Sequence, residues 1–522
     1  MGTHLPPWCL VPALAATMPL LEESSQPRDH PVTVPAVIIG NGPSGICLSY
    51  LLSGYTPYLD TGVVHPNPVL FRKLQEMKHV AITEQDFEYL SEGLEGRSSN
   101  PVAVLFDTLL HPNADFGYEF PPVLQWRLES QRRVPHLVLG RATPGGAWHA
   151  MEGSMLTISL GIWMELPGVN YRDPTAGKRR GGANDRATPE EISSYYSNYV
   201  KLMGLQNNFV DNTYVTSVQK LHRDREGKED LVNSEKELEV KNGPDVFPQG
   251  LWEVRGYQTV QGDAHVPFSL FAENVVLATG ASDSPARLGV EGEDLPFVFH
   301  SLSALGTAIR ERGLGRGSDP LLIVGAGLTA ADAALCAHGN GVAVMHVFRK
   351  RVDDPGLIFK QLPKTLYPEY HKVYQMMCSQ THSVAGAGLF PDYTSFPEHY
   401  IVSFQPDMKC VLRNGSNVKV FKISTALVLI GTNPDLFFLK DQGQYLGLDP
   451  NKPISCKQNP IDINPYTFEC RKEPTLFAMG PLIGDNFVRF LKGGALGIAS
   501  CLMKRQKKKG ELIADGGGGG LA

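Results

Sequence analysis

The sequence predicts an α/β fold of doubly wound parallel sheets, arranged as two nucleotide-binding domains with the second inserted in the first. Two glycine fingerprints carry that expectation. The first is VTVPAVIIGNGPSGICLSYLL, with Gly40, Gly42 and Gly45, and with Pro43 and Ser44 between them. The second is DPLLIVGAGLTAADAALCAHGNGVAVMHVFRK, with Gly325, Gly327 and Ala330. Each reads as an apolar strand, a tight turn and a helix. The first Gly permits the turn, the second lets a diphosphate approach the backbone, and the third small residue lets helix pack on strand. One such match is weak evidence, because Gly also serves ordinary turns. Two in strand–turn–helix context imply two nucleotides on one chain, and so electron transfer between them.

The elements follow in order. Residues 1–30 read as a flexible extension. Their stretch LPPWCLVPALAATMPLL is apolar but carries four prolines and no basic residue before it, and it is too short to span a bilayer. Gly2 does not open a myristoylation signal, because Pro6 stands at the Ser/Thr position. The first strand–helix unit occupies about 31–53. No second strand follows directly, since YTPYLDTGVVHPNPVL is too Pro-rich for a buried parallel strand. VPHLVLG at 134–140 is the next strand, which leaves an insertion at 54–133, partly helical and able to offer a partner surface. The charged, turn-rich residues 222–250 predict an exposed loop. The second domain is expected at 296–424, and the first at 31–295 plus 425–503. The basic run KRQKKK at 504–509 and the glycines after it predict a disordered tail over 504–522.

Composition narrows the class. The 522 residues are 42% hydrophobic and 20% charged, as in ordinary globular chains, and a net charge of −6 gives no electrostatic case for nucleic acid. No transmembrane segment is expected. The eight cysteines are scattered without a Cys-x-x-Cys pair. That pattern points to a reducing, cytoplasmic setting and excludes a Cys-x-x-Cys disulfide reductase.

Four further motifs bear on chemistry. LVLGRATPGGAWHAM follows the proposed second strand and holds Gly145, Gly146, Trp148 and His149. NVVLATG ends at Gly280, and LVLIGTNPD follows the second fingerprint. Near the C-terminus Gly484 and Asp485 stand at a strand end, with KGGALGIAS expected to open a helix. A carboxylate there can accept bonds from a ribityl hydroxyl, and a helix start can stabilise negative charge on a reduced flavin. The strand after the second fingerprint ends in Arg349, Lys350 and Arg351 rather than an acid. A carboxylate would repel a 2′-phosphate, whereas guanidinium groups bind it, so NADPH is favoured over NADH.

With these residues in view, the chain resembles the flavoprotein monooxygenases with two dinucleotide-binding domains. GGAWH looks like their GGxW loop, and the order of fingerprint, GGxW, ATG, second fingerprint, ATG-like strand and GD is theirs. More closely, GNGPSGICLSYLLSGYTPY, SYYSNYV, DDPGL, LYPEYHKVYQMM and GPLIGDNFVRF identify it as a member of the oxidative stress-induced growth inhibitor family. The resemblance implies FAD at the first fingerprint, NADPH at the second, and oxygen transfer through a flavin hydroperoxide to a nucleophilic N, S or carbonyl centre. The substrate would be a small molecule or a protein side chain. It also implies a link to growth control, cytokinesis and the midbody. An NADPH oxidase releasing peroxide and a non-catalytic flavoprotein scaffold are the rival readings. His149 and Ser159 are the catalytic candidates, with Trp148 beside the flavin. Three departures stand out. Gly140-Arg141 replaces the ribose-binding acid at the second strand end, and Asp60 reads as a turn residue. MLTISLGIWMELPG lacks the expected Asn. Val298 precedes Phe299-His300-Ser301 where the family has Gly before its His-Ser.

Overall fold

The computed structural model describes residues 33–118, 120–151, 155–171, 186–221, 250–260, 264–379 and 390–516. The expected N-terminal extension and nearly all of the 222–250 loop lie outside them.

The first fingerprint strand, Thr33–Ile39, is apolar on both faces because sheet neighbours and helices cover it. It lies between His136–Leu139 and the C-terminal half of His265–Leu277, both parallel to it, with Ile38 in register with Val138 and Val276. Phe209–Val210 and Leu476–Ala478 complete the parallel set at its two ends. The long strand His265–Leu277 continues outward, where its first half pairs antiparallel with Trp252–Thr259 and that strand with Thr213–Lys220. A second parallel sheet runs Val298–Phe299, Thr425–Val428, Leu321–Val324, Val344–Phe348 and Tyr393–Pro397. The chain thus forms two Rossmann-like domains, the second inserted in the first.

One expected boundary moves. Thr425–Val428 was assigned to the first domain but pairs inside the second sheet, with Leu427 against Ile323. Its side chains are all buried and, Thr425 apart, apolar, which suits a central strand, and proximity in sequence to the return segment decides nothing. The two chain crossings between the domains pair with each other, Ser284–Pro285 against Thr432–Asn433. A second tie is Arg186, which donates to the Leu156 and Thr157 carbonyls and pairs with Glu369 while stacking over Tyr367.

The insertion contributes a hairpin, Tyr55–Leu59 with Leu124–Leu128, and helices Pro68–Glu76 and Pro101–Leu110. Asp60 is a turn residue, its carboxylate accepting from the Gly62 N–H. The second helix packs on the C-terminal helix, Val488–Gly516, at an approach so close that a side chain on Gly493 would collide with Ala103. Arg489 forms a two-pronged pair with Asp107 at 2.6 and 2.7 Å, nearly excluded from solvent. This face of the insertion is therefore internal packing rather than free partner surface.

The expected tail is corrected over 504–516, and 517–522 lie outside the described residues. Residues 504–516 continue the C-terminal helix, and the basic run is used: Arg505 pairs with Glu469, Lys509 with Glu273, and Lys504 donates to the Gln85 carbonyl. The straight-chain Lys and Arg residues favour helix, and the body of the protein supplies acceptors for them.

Candidate functional site

The first fingerprint closes one wall of a cavity of about 730 Å3. Gly40 has φ +114°, and any side chain there would strike the Ala278 carbonyl. Pro43 opens the helix Pro43–Leu52, Ser44 is buried behind it, and a side chain on Gly45 would strike the Gly40 carbonyl. Gly42 differs from both. Its backbone is ordinary extended chain, and a methyl added to it would meet nothing within 4 Å. The space in front of Gly42 is what a diphosphate requires. Gly280 likewise borders open space, and the neighbouring Thr279 hydroxyl, also in the wall, is buried without a partner. An enclosed orphan hydroxyl of this kind suits a ligand contact. These features fit FAD.

The GGAWH loop lies directly on the fingerprint. The Gly145 N–H donates to the Asn41 carbonyl at 2.9 Å, the Asn41 amide donates to Ala142 O at 2.5 Å, and Gly146 abuts Gly42. Trp148, half-buried, and His149, exposed, both line the cavity. The His149 Nε2 sits 3.0 Å from the Pro144 carbonyl, which can only accept, so the bond between them needs the proton on Nε2. Ser159 does not join them. It lies outside the cavity wall, its carbonyl accepts from the Thr157 hydroxyl, and the adjoining Ile158 turns into the second domain's core. At the vacated acid position Arg141 reaches Asp283 at 3.1 Å, and both line the cavity.

Gly484 and Asp485 sit beyond the strand Leu476–Ala478, after a turn over Gly480–Ile483. Pro481 and Asn486 on either side line the cavity, and the helix that begins at Val488 places Val488 and Leu491 there as well. KGG does not open this helix. It lies within it, where the glycines permit close packing on Ala103, Met479 and Phe468. Asp485 itself is buried, its two oxygens bound by Ser98 and Asn100 of the insertion at 2.6 and 2.8 Å. Burial pushes its carboxyl up to about 6, against the pull of those two donors.

The second fingerprint repeats the design. Gly325 has φ +126° and leaves no room beside the Leu429 carbonyl, Gly327 borders open space at the start of helix Leu328–Gly339, and Ala330 is fully buried on the sheet. Sequence reasoning missed His346, buried in the adjoining strand. Its two ring nitrogens lie 2.6 Å from the Gly325 carbonyl and the Tyr393 hydroxyl, which braces the turn from beneath. Burial lowers its pKa to about 4, so the ring is neutral. Arg349, Lys350 and Arg351 are all exposed, yet they differ. Arg351 is held by Asp353 through two bonds of 2.9 Å, and Lys350 donates to the Gly356 carbonyl. Arg349 has no such partner among the described residues. His300 is a tied linker residue, its Nε2 3.0 Å from Glu293.

Among the described residues no cluster of His, Cys, Asp or Glu could hold a metal, no helix is long and apolar enough to cross a membrane, and every cysteine is a free thiol. Comparison with known proteins agrees with the fold. The pyridine nucleotide-disulphide oxidoreductase family model matches residues 196–459. The bacillithiol disulfide reductase Bdr from Bacillus cereus superposes with a TM-score of 0.54 at 13% identity, covering 91% of this chain and 100% of its own, a likeness of fold alone. Human oxidative stress-induced growth inhibitor 2 is 61% identical over 508 residues, 97% of this chain and 100% of that protein. Human oxidative stress-induced growth inhibitor 1 is 50% identical over 492 residues, 93% and 99% respectively. The coarse chemistry that follows is that of an oxidoreductase using FAD and a pyridine nucleotide. The chain belongs to the oxidative stress-induced growth inhibitor family, within the pyridine nucleotide-disulphide oxidoreductases.

Proposed function

We propose that this protein is an FAD- and NADPH-dependent monooxygenase acting on a nucleophilic N, S or carbonyl centre of a small molecule or protein side chain. The observation that carries the reading is the GGAWH loop bonded across the first fingerprint, with Trp148 and His149 in the cavity wall. FAD, when bound, would take a hydride from NADPH and then activate oxygen. Gly42 and Gly280 would admit its diphosphate, and Arg141 and Asp283 would border the cavity where the usual ribose acid is missing. Gly327 and Arg349 would hold NADPH. His149 would present Nδ1 to a reacting proton, and Trp148 would limit water at the wall. Among the described residues the cavity wall contains no cysteine to support dithiol chemistry.

The relatives are named as growth inhibitors induced by oxidative stress, and we set this chemistry in that context and in the reducing cytoplasm. Cytokinesis and the midbody follow from the resemblance alone. The exposure of His149 favours one rival, an NADPH oxidase that leaks peroxide. Purified protein should show a flavin spectrum bleached by NADPH. With labelled oxygen, it should move one labelled atom into an amine, a sulfide or protein methionine. Peroxide equal to the NADPH consumed, with no label in product, refutes monooxygenation in favour of the oxidase. A flavin that NADPH does not reduce refutes both and favours the scaffold.

A further inference from the structure

The insertion reaches the segment behind one wall of the first cavity through two small polar residues. Ser98 Oγ donates to Asp485 Oδ1 at 2.6 Å and accepts the Asn100 N–H at 3.0 Å, while Asn100 Nδ2 donates to Asp485 Oδ2 at 2.8 Å. Asn100 precedes the helix Pro101–Leu110 at its capping position, yet its side chain makes no cap bond and is spent on Asp485 instead. That helix is anchored against the C-terminal helix by Arg489–Asp107 and by the Gly493–Ala103 approach. Both oxygens of Asp485 are therefore fixed from a rigid platform. Its chain neighbours Pro481, Asn486 and Val488 line the cavity, and the C-terminal helix starts there.

We propose that Ser98 and Asn100 are positioning residues for the flavin, holding Asp485 so that the segment 484–488 and the helix start face the cofactor. This rests on the reading of the first cavity as the flavin site. The charged groups around Asp485 are committed elsewhere. Arg97 pairs with Asp115, Arg489 with Asp107 and Asp115, and Lys492 donates to His111 and the Glu165 carbonyl, while the Cys456 carbonyl is what stands over Gly484. The Ser98 hydroxyl and the Asn100 amide are thus the groups that favour the ionised form of Asp485 against its burial. Without either donor the carboxyl protonates at higher pH, and the segment loses its tether.

The test titrates FAD into full-length apoprotein by flavin fluorescence, from about pH 5 to pH 9, for wild type, Ser98→Ala, Asn100→Ala and Ser98→Thr. NADPH binding, read in the same samples, reports that the chain is folded. Each alanine variant should bind FAD about tenfold more weakly at neutral pH, with the pH of half-maximal affinity moved upward, while Ser98→Thr behaves as wild type. Unchanged affinity and midpoint overturn the inference. So does a loss that is equal at every pH, because that is what mere scaffolding predicts. If an alanine variant also loses NADPH binding, Asn100→Ser, which keeps a shorter donor in a folded chain, decides between the same two results. A wild type that binds no FAD overturns the flavin reading itself.

Discussion

Gly42 and Gly45 stand three residues apart in one fingerprint, yet they should fail in opposite ways. Gly42 has φ −73° and ψ −176°, a conformation any residue adopts, and a methyl there meets no atom within 4 Å. Gly42→Ala should therefore change stability by less than about 1 kcal/mol, the scale of a capping or chain-entropy effect. The methyl instead occupies the space meant for diphosphate. Overpacking of that kind costs about 1–3 kcal/mol, which weakens FAD about five- to hundredfold. Gly42→Glu adds a negative charge and should abolish binding. Gly45→Ala is another matter, because its methyl lands on the Gly40 carbonyl and forces helix Pro43–Leu52 off its strand. That variant should lose about 1–3 kcal/mol of stability even without ligand. Melting of the apoproteins and FAD titration separate the two effects. The reasoning is refuted if Gly42→Ala binds FAD as wild type does, or if it melts as low as Gly45→Ala.

Two more predictions rest on the second domain. Arg349→Ala should raise the Michaelis constant for NADPH about ten- to a hundredfold, the worth of one charge-assisted phosphate contact, and leave NADH nearly unchanged. Arg351→Ala should do less, because Asp353 already holds that guanidinium, and equal losses for both nucleotides would point to a structural role. His346 is held neutral, its pKa depressed from 6.5 to about 4, so the folded chain takes up fewer protons than the unfolded chain between those values. The stability it contributes is complete above about pH 6.5 and is lost as pH falls toward 4. The melting difference between wild type and His346→Gln should shrink over that window, and a difference constant with pH would count against this account.

Much of this architecture is legible in the residues because the glycines act locally. Turn geometry at Gly40 and Gly325, open space at Gly42 and Gly327, and helix–strand contact at Gly45 and Ala330 are all set within a few residues, so short motifs announce them. The same holds for the strand VPHLVLG and for the placement of GGAWH after it. Tertiary structure decided what depends on residues far apart in the chain. The basic run after Met503 looks solvated in isolation, and it is helical because Glu469, Glu273 and the Gln85 carbonyl receive it. Asp485 stands in the sequence as a candidate flavin contact, and only the fold brings Ser98 and Asn100 of the insertion to its two oxygens. Ser159 follows the right loop and still turns away, since Ile158 buries itself in the other domain. Three adjacent cations, Arg349, Lys350 and Arg351, are equivalent in sequence and become unequal once Asp353 and the Gly356 carbonyl claim two of them. Local backbone geometry is written in nearby residues, whereas the partner of a charged side chain is chosen by a chain path that the fold alone completes.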